Sequence, residues 1–588
     1  MRQTHSSAFV PSGGRLVAHF SVTKYIQVGG CSAVSDFLFV NEAERFAILK
    51  IIRKFVVRDK ILHMKKLLFA LVVALAALSC ATEKDINVQL TEQAATEYLT
   101  PVHPGGNGRP FWNGFAKKFI YAPSFDFAAV EGAESYRYTV TSEADDSWSF
   151  TAQCPKQPLS PIWNSIPGGT KVTLTVEGLA ADGSVVGVAG ERSFFRDYSF
   201  NPPYTGAVRD YKQAAILGML YVHTMPQVQS FATSTEPDMS YDHYTYACKI
   251  IGAVVQVETL LAKVAPQYRD NAIAIAKNAA QFLIDQARKP GEPLAYFPPT
   301  YYKNLVASKR ASNQGKTMAM EAASAGEAYL DLYDATGENL YLEQAIGIAD
   351  TYLRLQCEDG SWHIKYDFVT GEPVNQSKAM LHPLLRYFLR LERDYGQTKY
   401  ADARVRGEQW MAAHILERFD MTGQFEDVAV ENVKPYENLT NCTAAPYATY
   451  LLMRGATEEE IATAYELIRF SEDQFVYWDM PLNDKGYKRD LTPCVYEQYK
   501  YQMPVDNSTC NVAGAMLDLY EATGDELMRA KAVALIDVIT VAQCINTGKI
   551  PTTWRIRFNY KPTFWVNCTY DSVLTLLRMA ESEGELSK

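Results

Sequence analysis

The sequence predicts a multidomain protein, a small antiparallel β-sandwich followed by an all-α body of six helical hairpins closed into an (α/α)6 toroid. Three observations predict it. A helix–turn–helix stretch at 330–357, LDLYDATGENLYLEQAIGIADTYLRLQC, returns 187 residues later at 517–544 as LDLYEATGDELMRAKAVALIDVITVAQC. Among the residues that keep their type in that register are Leu330, Asp331, Leu332, Tyr333, Ala335, Thr336, Gly337, Ala345, Asp350, Gln356 and Cys357. A helical hairpin cannot bury its apolar face alone, so copies must stack. Helical patterning then runs from Tyr204 onward, and between about Lys118 and Asp197 the period changes to two.

The bulk composition sets limits. A chain of 588 residues exceeds what one core usually takes. Apolar residues make up 47% and charged residues 21%, an ordinary globular balance. A formal charge of -10 without a basic stripe argues against a nucleic-acid partner. The 36 Tyr suit a groove for sugars or other polar rings, or else pack at helix ends.

Residues 1–63 lack clean periodicity and read as a mis-annotated upstream extension, with Met64 as the true start. The other reading is a genuine N-terminal extension. Met64-Lys65-Lys66 leads into LLFALVVALAALSC, a basic start, a short apolar run and a small-residue end at Leu78-Ser79-Cys80. That is the layout of a secretory signal over 64–79. The run is too short for a comfortable membrane span. It resembles a bacterial lipoprotein signal, which implies lipid attachment at Cys80 and an exported chain tethered at the periplasmic or outer face of a membrane.

Residues 80–117 read as a polar tether and a docking segment, PVHPGGNGRPFWNGF, irregular because of its Pro and Gly and carrying His103 and Trp112. Residues 118–200 contain short alternating strands separated by Gly, Pro and Asp turns, the pattern of the sandwich. It reads as a spacer or prop. The eight Cys after Cys80 include no C-x-x-C pair and no His at metal-ligand spacing, so a zinc site is not expected. Most read as small buried residues, and the recurrence of Cys357 and Cys544 favours a packing role.

The toroid is placed over 204–588, with helices at 208–223, 244–264, 267–288, 318–336, 340–356, 379–395, 399–417, 443–454, 458–475, 510–523, 526–543 and 569–582. Short turns such as ATGE and ATGD share one face. Six long connections share the other: 240–249, 295–316, 358–378, 422–443, 477–510 and 546–571. All are rich in aromatics, carboxylates, amides and cations. Long ordered loops on a rigid scaffold are where sites are built, and this lining has the make-up of a carbohydrate crater.

The strings DGSWHIKYDFVTGEPV, RFSEDQFVYWD, CVYEQYKYQMPVDNST and GKIPTTW…FWVNC are similar to one group of six-hairpin glycosidases, β-glucuronidase-like enzymes included. With the lipoprotein start and the front sandwich, the plan resembles exported glycan-degrading enzymes of Bacteroidetes-type bacteria. The resemblance spans roughly 100–588. It implies carboxyl acid/base cleavage of a uronic-acid residue, β-glucuronic above all, from a glycan or oligosaccharide, with no cofactor.

Glycoside hydrolysis needs two carboxyls flanking the bond. Glu497 sits among Tyr496, Tyr499 and Tyr501, and an aromatic wall raises a carboxyl's pKa as a general acid requires. Glu437 opens the next hairpin in a similar setting, with Asp506 and Asp367 in reserve. Each could instead be a helix cap or a loop ion pair. An anionic sugar also needs cations. Strand-like alternation in TTWRIRFNY separates Trp554 from Arg555 and Arg557, and in WHIKYD it groups His363, Lys365 and Asp367. Arg310 and Lys316 lie on the second loop, and Trp565 and Tyr244 offer ring faces. Two other readings remain open: a polysaccharide lyase with a base among His243, His363, Tyr244 and Tyr499, and a non-catalytic glycan-binding protein.

Overall fold

The computed structural model describes residues 85–102, 112, 114–302, 313–425, 434–480, 491–554 and 564–585. The signal segment with Cys80, and with it His103, Arg310, Arg555 and Arg557, lies outside the described residues. The chain forms two compact units, Met1–Asn87 and Val88–Lys588, and the second holds the helical body and the sheets. Among the described residues no helix is long and apolar enough to cross a membrane.

Twelve helices build the body: α1 (Tyr211–His223), α2 (Ala247–Val264), α3 (Arg269–Gln286), α4 (Glu321–Thr336), α5 (Asn339–Leu355), α6 (His382–Tyr395), α7 (Ala401–Met411), α8 (Asn441–Met453), α9 (Glu458–Phe475), α10 (Asp506–Thr523), α11 (Glu526–Ala542) and α12 (Val566–Ser582). The even-numbered helices touch one another in turn, and α12 returns to α2. They are an inner ring of six. The odd-numbered helices lie outside, each against its hairpin partner, so the architecture is an (α/α)6 toroid. Five hairpins are continuous in the chain. The sixth pairs α12 with α1, the last inner helix with the first outer one.

The repeated residues explain the joints. Gly337 and Gly524 end α4 and α10 at φ 72° and 75°, and their N–H groups reach Tyr333 and Tyr520 carbonyls at 2.7 Å. Asp350 accepts from Tyr400 at 2.7 Å, and its counterpart Asp537 accepts from Tyr211 at 2.5 Å. Gln356 Nε2 donates to the Ala403 and Gly360 carbonyls at 2.8 and 3.1 Å. Gln543 Nε2 donates to Ala214 and Gly548 carbonyls at 2.9 and 2.8 Å. Each copy therefore ties its own outer helix to the next one around the ring, α5 to α7 and α11 to α1. The Cys expected to pack there are not buried: Cys357 is half-buried and Cys544 exposed. The backbone N–H of each closes the following turn, onto Ser361 and Lys549 carbonyls.

The strands at 118–196 form one five-stranded sheet, in the order β1 (Lys118–Phe119), β5 (Val185–Arg196), β4 (Thr170–Leu179), β2 (Ser135–Ser142), β3 (Ser147–Ala152). A sandwich of two sheets was expected here. Its second layer is instead irregular chain rich in aromatics. Alternate residues of β2 and β4, among them Tyr138, Val140, Leu174 and Val176, are buried. Phe119, Phe125 and Trp163 cover that side, each ring within 6.2 Å of Phe194. Large rings fill the volume that a second sheet would occupy.

The sheet is fastened to α9 and α11 by buried charge. Asp473 accepts the N–H groups of Ile120 and Tyr121 at 2.7 and 2.9 Å. Lys531 is wholly buried and donates to Glu472 at 2.8 Å and to Glu97 at 2.7 Å. Tyr98, Tyr121 and Trp478 complete the shell of Glu472 at 2.7, 2.9 and 3.0 Å. A buried ion set tolerates burial only while every charge keeps its partners. Lys531→Met strands two carboxylates, and we expect a loss of about 3–5 kcal/mol, read as a lower urea midpoint. An unchanged midpoint would show that the network does not hold the two layers together.

Candidate active site

Every inner helix of the ring follows a long connection, so all six N-termini open at one end. Spacings of three and four place residues on one helix face, and the faces turned to the axis are polar. Asn507 and Asn511 lie on α10, Asn567 and Asp571 on α12, His382, Arg386 and Arg390 on α6, and Glu327 and Asp331 on α4.

At the mouth these groups meet the long connections. Trp565 stacks on His243 at 4.2 Å and 24°, and on Tyr246 at 5.6 Å and 23°. Lys249, on the first turn of α2, lies 5.6 Å over the Trp565 ring and 4.0 Å from Glu321. Glu497 comes from a hairpin of β6 (Cys494–Gln498) and β7 (Tyr501–Pro504). That hairpin is pinned to α8. Asn441 Nδ2 donates to the Tyr496 carbonyl at 2.5 Å, and Thr440 Oγ1 to that of Glu497 at 2.7 Å. Tyr499 donates to Gln474 at 2.5 Å, which ties the hairpin to the end of α9. Gln498 Nε2 holds the Glu497 carboxylate at 2.8 Å.

Asp571 is half-buried in the second turn of α12 and accepts from Asn507 Nδ2. Burial pushes its carboxyl up to about 6, against the opposing pull of Arg386, Asn507 and Lys249. Asp506 is wholly buried beneath it, accepts from Ser572 at 3.3 Å, and is pushed well above the usual carboxylate range by burial. Cys568 marks where these groups converge. Burial raises its thiol first, then the charges of Asp506, Asp571 and Glu497, while Lys249 pulls the other way. Cys442 is driven up to about 12 by burial and then by Glu497. Two carboxyls, a cation and an aromatic platform thus share one mouth. Among the described residues no group of three or more His, Cys, Asp or Glu could hold a metal ion.

The other residues singled out in the sequence lie elsewhere. Glu437 makes a rim ion pair with Lys500 at 3.1 Å. Asp367 closes its own turn, accepting from Val369 and Thr370 at 3.0 and 2.8 Å. Lys365 is buried and donates to Asn313 at 2.6 Å. His363 is buried beside Tyr366, with rings 6.0 Å apart, and burial, then Lys378, hold its pKa down. The three engage separate partners, and the strand of the alternating reading is only Lys365–Asp367, which leaves His363 outside it. Tyr244 is core, its hydroxyl on the Gln227 carbonyl at 3.2 Å. Trp554 lies beneath the mouth, with Nε1 on the Pro551 carbonyl at 3.1 Å. Trp565 is at the centre. Lys249, Arg386 and Asp571 were not singled out. The last had a signal: helix α12 begins at Val566, and Asp571 follows Asn567 at a helical spacing of four.

No known protein family matches the sequence, and no curated protein matches it. Solved structures with a similar chain course do. A family 76 glycoside hydrolase from a bovine Bacteroides thetaiotaomicron strain is 11% identical, covering 76% of this chain and 93% of its own, at a TM-score of 0.43. An unsaturated glucuronyl hydrolase specific for heparin is 12% identical over 64% of this chain and 97% of its own, at 0.41. A cellobiose 2-epimerase from Spirochaeta thermophila is 11% identical over 60% and 89%, at 0.45. The toroid is established by this chain's own helix contacts, and its chemistry must come from its own residues.

Asn507 stabilises the charged form of Asp571. Asn507→Ala removes that donor and moves the Asp571 pKa upward from about 6, which carbon-detected carboxyl titration reads directly. A downward shift would contradict this assignment.

Proposed function

We propose that the protein is a glycoside hydrolase that removes a uronic-acid residue from a glycan at this crater. The observation that carries the reading is that Asp571 in α12, the Glu497 hairpin pinned at the start of α8 and the Trp565 platform all lie at the N-terminal end of the inner ring. Asp571 keeps its proton up to about pH 6 and serves as the general acid toward the glycosidic oxygen. Glu497 is the partner carboxylate that activates water or attacks the ring carbon. Trp565 offers a stacking face to the sugar, and Lys249 a cation beside it for a carboxylate. The Tyr bases considered for a lyase are engaged elsewhere: Tyr244 is wholly buried and Tyr499 is bonded to Gln474. Export and lipid attachment at Cys80 belong to the same proposal, resting on the sequence of 64–80.

The test uses uronic-acid glycans and follows released monosaccharide together with near-ultraviolet absorbance. Free uronic acid without an absorbance rise supports hydrolysis; a rise marks a lyase and overturns the proposal. The acid must be protonated to act, so the rate falls as pH rises through about 6. Asp571→Asn and Glu497→Gln each lower kcat by about 10²–10⁴-fold. Full activity in Asp571→Asn would refute the acid assignment.

A further inference from the structure

The ring axis continues below the mouth, and its polar groups form two facing ladders. In a ring of six, α6 and α12 stand three places apart, on opposite sides of the axis. His382 and Arg386 lie four residues apart on α6, and Asn567 and Asp571 four apart on α12. Each pair therefore shares a helix face. Arg386 interacts electrostatically with both Tyr570 and Asp571, as facing ladders require.

Two observations show that these ladders are not a finished internal network. Buried His382 Nδ1 and Asn567 Oδ1 have no hydrogen-bond partner among the described residues. Polar atoms in that condition are uncommon and call for a ligand or water. Arg386 keeps 52% of its side chain accessible, although it stands on the inner ring, and its contact with Glu327 is a long 3.4 Å. His382 is held neutral, its pKa pushed down to about 3 by burial and then by Arg386, so its ring offers one donor and one acceptor.

One turn deeper, neighbouring inner helices are joined by ion pairs. Arg390 is clamped by Glu327 at 2.6 Å, Asp331 at 2.7 Å and Asp334 at 3.2 Å. Gln256 donates to Asp331 at 2.8 Å from α2. On the other side Arg578 is held by Asp518 at 2.7 Å and Glu521 at 2.9 Å. These pairs would form the floor of a well above them.

We propose that the well is a blind subsite for one terminal sugar, with His382 and Asn567 bonding its hydroxyls and Arg386 its carboxylate. This rests on the hydrolase reading for its placement beside Asp571, and it adds chain-end action and a residue for uronate selection. Arg386 is a specificity residue whose fork matches a carboxylate through parallel hydrogen bonds.

Binding separates this inference from the catalytic one. The full chain is titrated with methyl β-D-glucuronide and methyl β-D-glucoside by calorimetry, as wild type, Arg386→Lys and Arg386→Met. We expect the wild type to prefer the glucuronide about tenfold or more, the size of one charge-assisted hydrogen-bonded contact. Arg386→Met should erase the preference while glucoside affinity stays, and Arg386→Lys should keep part of it. A variant that merely misfolds loses both ligands. A uronate preference untouched by Arg386→Met overturns the proposal, as does a polymer digest whose first products are intermediate-length fragments. A preference that depends on Arg386 in a protein that hydrolyses nothing would leave the subsite standing and bring down the hydrolase reading.

Discussion

The structure hangs on a hydrogen-bonded clasp made by one glutamine. Gln543 reaches from the end of α11 to the Ala214 carbonyl of α1 and to the Gly548 carbonyl of the next connection. Tyr211 and Asp537 reinforce it with a contact 326 positions apart in the chain. Gln356 makes the same clasp between α5 and α7. A neutral amide suits the task, because it satisfies two buried carbonyls without bringing a charge into the wall. The close approach also explains Gly360 and Gly548. Each has φ above +70°, and a Cβ there would meet the backbone oxygen of Arg406 or Leu217 at 2.6 or 2.5 Å. Only glycine allows the next outer helix to come so near.

The toroid places its charges with a division of labour. Apolar side chains fill the space between the two rings, while the inner faces toward the axis carry arginines, carboxylates and amides. Protein surrounds the axis closely enough to desolvate those groups, yet each sits near an opposite charge. Asp571 shows the competition. Burial favours its neutral form, Arg386, Asn507 and Lys249 favour the charged one, and burial wins by enough to leave the proton in place to about pH 6. Asp331 is raised for the same first reason even with Arg390 beside it.

Much of the fold was legible because the repeat is a statement about joints, and joints are made by few residues. Asp350, Gln356 and Gly337 recur because two positions on the ring demand the same geometry. The sheet was legible strand by strand, but not its covering, since the aromatic chain near Phe125 and Trp163 has no period to read. In the site, Glu497 stood out through its tyrosine neighbours, and Trp565 through its loop. Asp571 and Arg386 were hidden inside amphipathic helices, where a polar residue ordinarily marks the solvent side. Here the polar side faces the axis, and only ring closure reveals that. His363, Lys365 and Asp367 are each taken up locally instead, Lys365 by Asn313 and Asp367 by its own turn.

The pairing of α12 with α1 closes the ring between the two ends of the helical body. Five hairpins can form from neighbours in the chain, but the sixth joins segments separated by nearly the whole helical body. Long-range closure of this kind is slow, since chain entropy must be spent before its contacts form. Asp571 rides on the helix that completes the circle, whereas Glu497 sits on a hairpin pinned to α8 and α9. The first and last helices of the body thus share one joint, and the wall that carries Asp571 is braced by both ends of the helical chain.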